Sequence, residues 1–285
     1  MDATKQRALI TGASSGLGME IARVLAARGI DLAIAARRRD KLETLADELR
    51  RDHHIDVAVF SADFAQVDAA QHLFDEVRAA GLRIDILVNN AGLGFFGPFL
   101  GQSISQIQEM IAVDVASVMV LTRLFARAMN DQGGGHILQV SSFAALQPIP
   151  RYSIYSGAKA FLIASAQALR HELRKTSVRI SVVAPGFMLT EFHNTAHHER
   201  TFLMKLTNLP VHYTARKAVA GMFCGKLLIT PGIFYQINGV LVRFLPRRFA
   251  SALSALSVGG SQIPANGKPK NSAEKTPPAS DDKTQ

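Results

Sequence analysis

The chain has 285 residues, is 48% hydrophobic and 19% charged, and carries a formal net charge of +9 with one cysteine and no tryptophan. That composition excludes a disordered or collagen-like chain, and a lone Cys224 excludes a disulfide framework or a thiolate metal cluster. A chain of this length buries roughly three quarters of its unfolded surface, so neither metals nor disulfides are needed to fold it.

Short apolar runs alternate with longer segments of helical period. Met1 to Arg7 is short and polar and shows neither the apolar stretch nor the cleavage site of a signal peptide, which sets a cytoplasmic expectation. Strands are predicted at 7–11, 31–36, 57–61, 84–89, 136–141 and 179–184. Helices are predicted at 15–28, 41–51, 68–80, 106–129 and 154–174. This order, with strands apolar throughout, predicts a Rossmann-type α/β fold: one domain, residues 1–258, on a doubly wound parallel sheet. Gly186 to about Val211 is a long connection, so 186–215 is read as a substrate lid. The last 27 residues hold four prolines and no aromatics, and 259–285 reads as a disordered tail.

After the first strand comes Thr11-Gly12-Ala13-Ser14-Ser15-Gly16-Leu17-Gly18, running into a helix. Gly12 lets the strand turn sharply, Gly16 removes a Cβ where a pyrophosphate approaches, and Gly18 lets the helix pack on the sheet. The helix N-terminus then offers free N–H groups to phosphate. The spacing is Gly-x3-Gly-x-Gly rather than GxGxxG. Together with Asn89-Asn90-Ala91-Gly92, Ser142, Tyr155-x3-Lys159 and Pro185-Gly186, it resembles the short-chain dehydrogenase/reductase family over about residues 5–195.

The second strand ends at Ala36 and is followed by Arg37-Arg38-Arg39. A carboxylate at that strand end would hold the ribose hydroxyls of NAD, whereas an arginine accommodates the 2′-phosphate of NADP. Arg37 or Arg38 is therefore read as the phosphate partner and NADP(H) as the cofactor, while Arg39 is read as a solvated helix start. The resemblance implies further cofactor contacts from Ser14, Ser15, Leu17, Asn90, Ala91 and Gly92. It also implies that backbone at Pro185, Gly186 and Met188 holds the carboxamide side and that Thr190 contacts the pyrophosphate side. Asp63 after the third strand carries two readings, an adenine contact by resemblance or a helix cap by residue type.

Tyr155 and Lys159 are four apart in a helical segment and share a face. A nearby ammonium favours tyrosinate, so the pair suits general acid/base work on a hydroxyl or carbonyl oxygen. Ser142 lies thirteen residues before Tyr155, and the resemblance implies that it holds the substrate oxygen. Lys159 by the same resemblance also bonds the nicotinamide ribose. The family usually has Asn in the middle of its long helix, and this chain has Asp114. A role through the backbone carbonyl survives that change. A side-chain role does not survive unchanged, because a carboxylate has no N–H to donate and can pair with Lys159 instead.

His193, His197 and His198 cluster in the predicted lid without a further ligand, so no metal site is read there. Cys224 reads as a small packed residue. The charge is uneven. Residues 1–199 hold 20 basic and 20 acidic side chains, Arg200 to Val258 hold 8 basic and none acidic, and the tail holds 4 lysines and 3 acids. Nucleic acid is not the expected partner, since interleaved base-stacking aromatics are missing. Residues 227–258 form a basic, apolar segment in which only 14 residues separate Pro231 from Pro246, short of the ~20 that span a bilayer. It either packs over the cleft or a partner subunit, or lies on a membrane as a peripheral contact.

The reading is an NADP(H)-dependent carbonyl reductase or secondary-alcohol dehydrogenase acting on a hydrophobic oxo substrate, such as a 3-oxo lipid, a steroid-like ketone or an aromatic carbonyl. The other class considered is a non-catalytic NADP(H)-binding regulator, against which the intact Ser142, Tyr155 and Lys159 argue. Family resemblance implies a homodimer or homotetramer.

Overall fold

The computed structural model describes residues 5–190 and 207–246, together with Phe249, Ser251 and Ser254. The three lid histidines and the tail lie outside the described residues. Seven parallel strands run β1 (Arg7–Thr11), β2 (Asp31–Ala36), β3 (Val57–Ser61), β4 (Ile86–Asn89), β5 (Gly135–Val140), β6 (Val178–Val183) and β7 (Leu228–Ile229). Their order in the sheet is β3-β2-β1-β4-β5-β6-β7. Ile10 of β1 pairs with Ile34 on one side and Val88 on the other, so the strand order reverses between β1 and β4. At such a reversal the loops above the strand ends diverge and leave a crevice.

Successive strand residues point to opposite faces, which splits the core in two. Ala8, Ile10, Leu32 and Ile34 pack under α1 (Gly16–Ala26), α2 (Arg39–His53) and α7 (Val211–Phe223). Leu9, Ala33 and Leu87 pack on the other face, under α3 (Ala69–Ala79), α5 (Ser117–Asp131) and α6 (Ser153–Glu172). Both faces are covered, which is why the central strands read as continuous apolar runs. The fully buried Leu and Ile side chains each contribute roughly 1.5–3 kcal/mol by leaving water.

Two differences from the sequence reading matter for the site. The single helix expected at 106–129 is two α-helices, α4 (Ile104–Ile111) and α5, joined by a π-helical turn at Ala112–Ala116. Apolar periodicity carries straight through a one-residue widening, so the pattern hides it; such turns concentrate at functional positions. The start of α4 is fixed by a capping box between Ser103 and Gln106. The basic apolar segment contains β7, only two residues long, and α8 (Ile233–Phe244). A strand that short shows no periodicity.

Candidate active site

Of the cofactor-binding and catalytic residues singled out by sequence, all but Gly18 and Asp114 line one cleft of about 750 Å3; six loops at the carboxyl edge of the sheet supply most of them, and α6 supplies Tyr155 and Lys159. Gly12 and Gly16 have φ of 66° and 58°, conformations a side chain rarely adopts. A Cβ on Gly18 would overlap Asn90 Nδ2 and the Gly12 carbonyl. Asn90 holds this loop: its Nδ2 donates to the carbonyls of Thr11 (2.9 Å) and Gly12 (3.1 Å). Thr11 Oγ1 in turn accepts from the N–H groups of Asn90 (3.0 Å) and Ala91 (3.1 Å). Asn90 and Ala91 therefore shape the glycine loop from behind as well as lining the cleft.

The N-terminus of α1 has no side-chain cap at Ser15 and no acidic residue in its first turn. Its N–H groups and positive dipole end thus meet no carboxylate from the helix's own first turn, which suits an anion. Arg38 reaches over the loop, donating to Ser14 Oγ (3.1 Å) and Ser15 Oγ (2.9 Å). Arg37 turns the other way, 3.9 Å from Glu109 and half exposed. Both border the cleft, and Ala36 beside them supplies no carboxylate. Asp63 also lines the cleft; its Oδ1 accepts from the Ala65 N–H at 3.2 Å, which makes it a turn former, while α3 begins six residues later. Loop and dipole together fit the diphosphate of a nicotinamide dinucleotide.

At the other end of the cleft, Ser142 leaves β5 and caps the short 3-10 helix Phe143–Leu146, its Oγ accepting from the Ala144 N–H at 3.1 Å. The same hydroxyl is hydrogen-bonded to the Tyr155 phenol. Burial pushes the phenol well above its ordinary pKa, the Ser142 hydrogen bond pulls it back, and the Asp114 carboxylate pushes it further up. Lys159 Nζ lies 5.8 Å from the centre of the Tyr155 ring and donates to the Val140 carbonyl at 3.3 Å. It also lies 2.6 Å from Asp114 Oδ1, with both side chains buried. Asp114 Oδ2 accepts from the Leu93 N–H at 3.0 Å. Burial raises the Asp114 carboxyl above its usual range, and Lys159 opposes that rise. A Cβ on Gly92 would stand 2.7 Å from Asp114 Oδ1 and 3.0 Å from Lys159 Nζ, so glycine is what lets this pair close beneath the cleft floor.

Beyond β6, Gly186 has no room for a Cβ because the Tyr235 ring fills that space. Tyr235 Oη accepts from the Phe187 N–H at 2.8 Å and donates to the Thr207 carbonyl at 3.0 Å. Pro185, Met188 and Thr190 line the cleft nearby. Sequence reasoning missed Tyr235 and its neighbours Phe234, Asn238, Leu241 and Leu245, all cleft-lining residues of α8 or its end. The i, i+4, i+7, i+11 spacing of Phe234, Asn238, Leu241 and Leu245 was the available signal. Tyr152 was missed too; it is buried, and its ring centre is 5.7 Å from that of Tyr155. Ser254 donates to the Pro148 carbonyl at 2.6 Å and closes the far rim. Among the described residues no three His, Cys, Asp or Glu side chains are placed to hold a metal ion.

A doubly wound sheet with a phosphate-shaped loop at its reversal and a Ser–Tyr–Lys group opposite defines a dinucleotide-dependent oxidoreductase. The family profile described as short chain dehydrogenase matches residues 6–201, and the chain belongs to that family. It is 36% identical over 195 residues to human 17-beta-hydroxysteroid dehydrogenase type 3, a match covering 67% of this chain and 62% of that enzyme. It is 32% identical over 190 residues to the very-long-chain 3-oxoacyl-CoA reductase of Anas platyrhynchos, covering 65% and 60%. The matched part thus spans about six-tenths of the length of these relatives. A short-chain dehydrogenase from Sphingobium yanoikuyae in complex with NADPH superposes with a TM-score of 0.75 at 27% identity, covering 85% of this chain and 97% of that one.

Proposed function

We propose that this chain is an NADP(H)-dependent reductase of an apolar ketone, also able to run the reverse oxidation of the secondary alcohol. The observation that carries this is the half-buried Ser142 and Tyr155 beside the buried Lys159, at the wall of a cleft whose far end is built from Phe143, Phe234, Leu241 and Leu245. Arg38 at the opposite end supports the 2′-phosphate of NADP(H), because a guanidinium can make a charge-assisted contact to it and Ala36 at the strand end puts no carboxylate there.

The bound nicotinamide would supply the hydride, and the protein supplies placement and protons. Ser142 holds the ketone oxygen through its hydroxyl. Tyr155, raised by burial, keeps its proton at neutral pH and so has one to give when negative charge builds on that oxygen. Lys159 places a positive charge beside the phenol and steadies the tyrosinate left behind. The apolar walls exclude water from the reacting oxygen and suit a substrate of low polarity. The relatives act, by name, on a steroid and on a very-long-chain 3-oxoacyl-CoA, which supports a lipid-like substrate for this cleft.

The test is NADPH consumption, with NADH as control, against ketones of graded chain length and steroid ketones. Turnover rising with apolar size, and faster with NADPH, is the expected result. Tight NADPH binding with no turnover of any ketone would overturn the reading in favour of a nucleotide-binding regulator.

A further inference from the structure

Helix α8 presents three stripes. Tyr235, Gly239 and Val242 face inward, with Gly239 against Leu146 and Phe143 and Tyr235 stacked edge-on to Phe143 at 4.9 Å. Phe234, Asn238, Leu241 and Leu245 form the edge that lines the cleft. The third stripe, Ile233, Ile237, Val240 and Phe244, lies at the same i, i+4, i+7, i+11 spacing and is between 52% and 81% exposed. A helix on the surface of a water-soluble domain puts polar residues there. This one puts four large apolar side chains in a row, without a break between them and the cleft edge. Phe249, beyond the helix, is 68% exposed as well.

We propose that this outer face of α8 is a docking surface for a lipid bilayer bearing anionic headgroups. Two observations select that occupant. The first is charge: Arg200 to Val258 holds 8 basic residues and no acidic one, with Arg243, Arg247 and Arg248 in or just after the helix. Anionic headgroups attract such a segment. A symmetric contact with a second copy would instead set like charges against each other. The second is continuity: the exposed stripe adjoins the edge that lines the cleft, so the bilayer side of the helix leads directly to the cleft mouth. Twelve residues are too few to cross a bilayer, and no helix among the described residues is long and apolar enough to do so. A helix of this kind lies in the interface plane, apolar stripe down. Gln236 occupies a position along the edge away from the cleft, where headgroups would sit.

The experiment is flotation of the full chain with vesicles of phosphatidylcholine alone and of phosphatidylcholine mixed with phosphatidylglycerol. The wild type is expected to float with the mixed vesicles and to be released in part by high salt. Ile237→Glu combined with Phe244→Glu is expected to lower vesicle binding about tenfold or more, since it removes apolar area and adds repulsion. Ile233→Gln combined with Val240→Gln, which adds no charge, is expected to weaken binding in the same direction. Both pairs lie outside the cleft, so melting and turnover of a short water-soluble ketone stay at wild-type values. The proposal is overturned if the wild type ignores the mixed vesicles or binds both vesicles equally at any salt. Equal flotation of the variants would also overturn it, as would a dimer that the Ile237→Glu pair dissociates while no vesicle captures the wild type. A chain that floats yet reduces no ketone keeps the surface and loses the reductase reading.

Discussion

Asp114 Oδ1 lies 2.6 Å from Lys159 Nζ, with both groups out of water and the carboxylate presented by a π-helical turn. The lysine proposed to steady a tyrosinate therefore shares its charge with a carboxylate that pushes the phenol up. Removing the carboxylate while keeping its shape, as in Asp114→Asn, leaves Lys159 beside Tyr155 and the Val140 carbonyl without the Asp114 charge against it. Asp114 pushes the phenol up, so its loss lets the phenol come down. The pH limb of alcohol oxidation that reports the Tyr155 proton is expected to move toward acid. Identical pH–rate profiles for wild type and Asp114→Asn would show that only the backbone at this position matters.

Tyr155→Phe keeps the ring against Tyr152 and removes only the hydroxyl that meets Ser142. Loss of a positioned proton donor is expected to lower turnover by about 10²- to 10⁴-fold. NADPH affinity, measured by quenching or calorimetry, should stay close to that of wild type because the glycine loop and Arg38 are untouched. Comparable turnover in the two proteins would remove Tyr155 from its role.

Arg38 and Arg37 are adjacent in sequence and differ in structure: Arg38 bonds Ser14 and Ser15, and Arg37 sits near Glu109. Arg38→Ala is expected to raise KM for NADPH about ten- to a hundredfold, from the ~1.5–3 kcal/mol of a hydrogen bond to a charged group. KM for NADH should move little, since it has no 2′-phosphate. Arg37→Ala should have the smaller effect, because its guanidinium is half exposed and screened. Equal losses for both dinucleotides would assign Arg38 to loop support instead.

Much of the cofactor end was legible in the sequence because its chemistry is local. Gly12, Gly16 and Gly18 fall within seven residues where one strand turns into one helix, and Ala36 with the arginines sits at one strand end. The parallel sheet followed from alternation, since a sheet covered on both faces leaves continuous apolar runs. The other end was less legible because it is built from contacts across the chain. Tyr235 meets Gly186 from 49 residues away in sequence, and no spacing announces it. Asp114 was visible as an unusual residue, but its choice of partner depends on the π turn, which leaves the apolar pattern of 106–129 unbroken.

Tyr235 ties α8 to the loop after β6 through two hydrogen bonds from one hydroxyl, to Phe187 and Thr207, while its ring takes the space that Gly186 leaves. Tyr235→Phe keeps the ring and deletes both bonds. Losing a hydrogen bond at a half-buried N–H costs about 1 kcal/mol, and urea denaturation should show a loss of that size. Phe187 and Met188 line the cleft, so a looser loop should raise KM for the ketone and for NADPH together. The rate at saturation should hold within about threefold, because Ser142, Tyr155 and Lys159 stay in place, and a threefold change is under 1 kcal/mol of barrier. Unchanged stability with unchanged KM would mean that the apolar contacts of α8 alone hold it over the cleft.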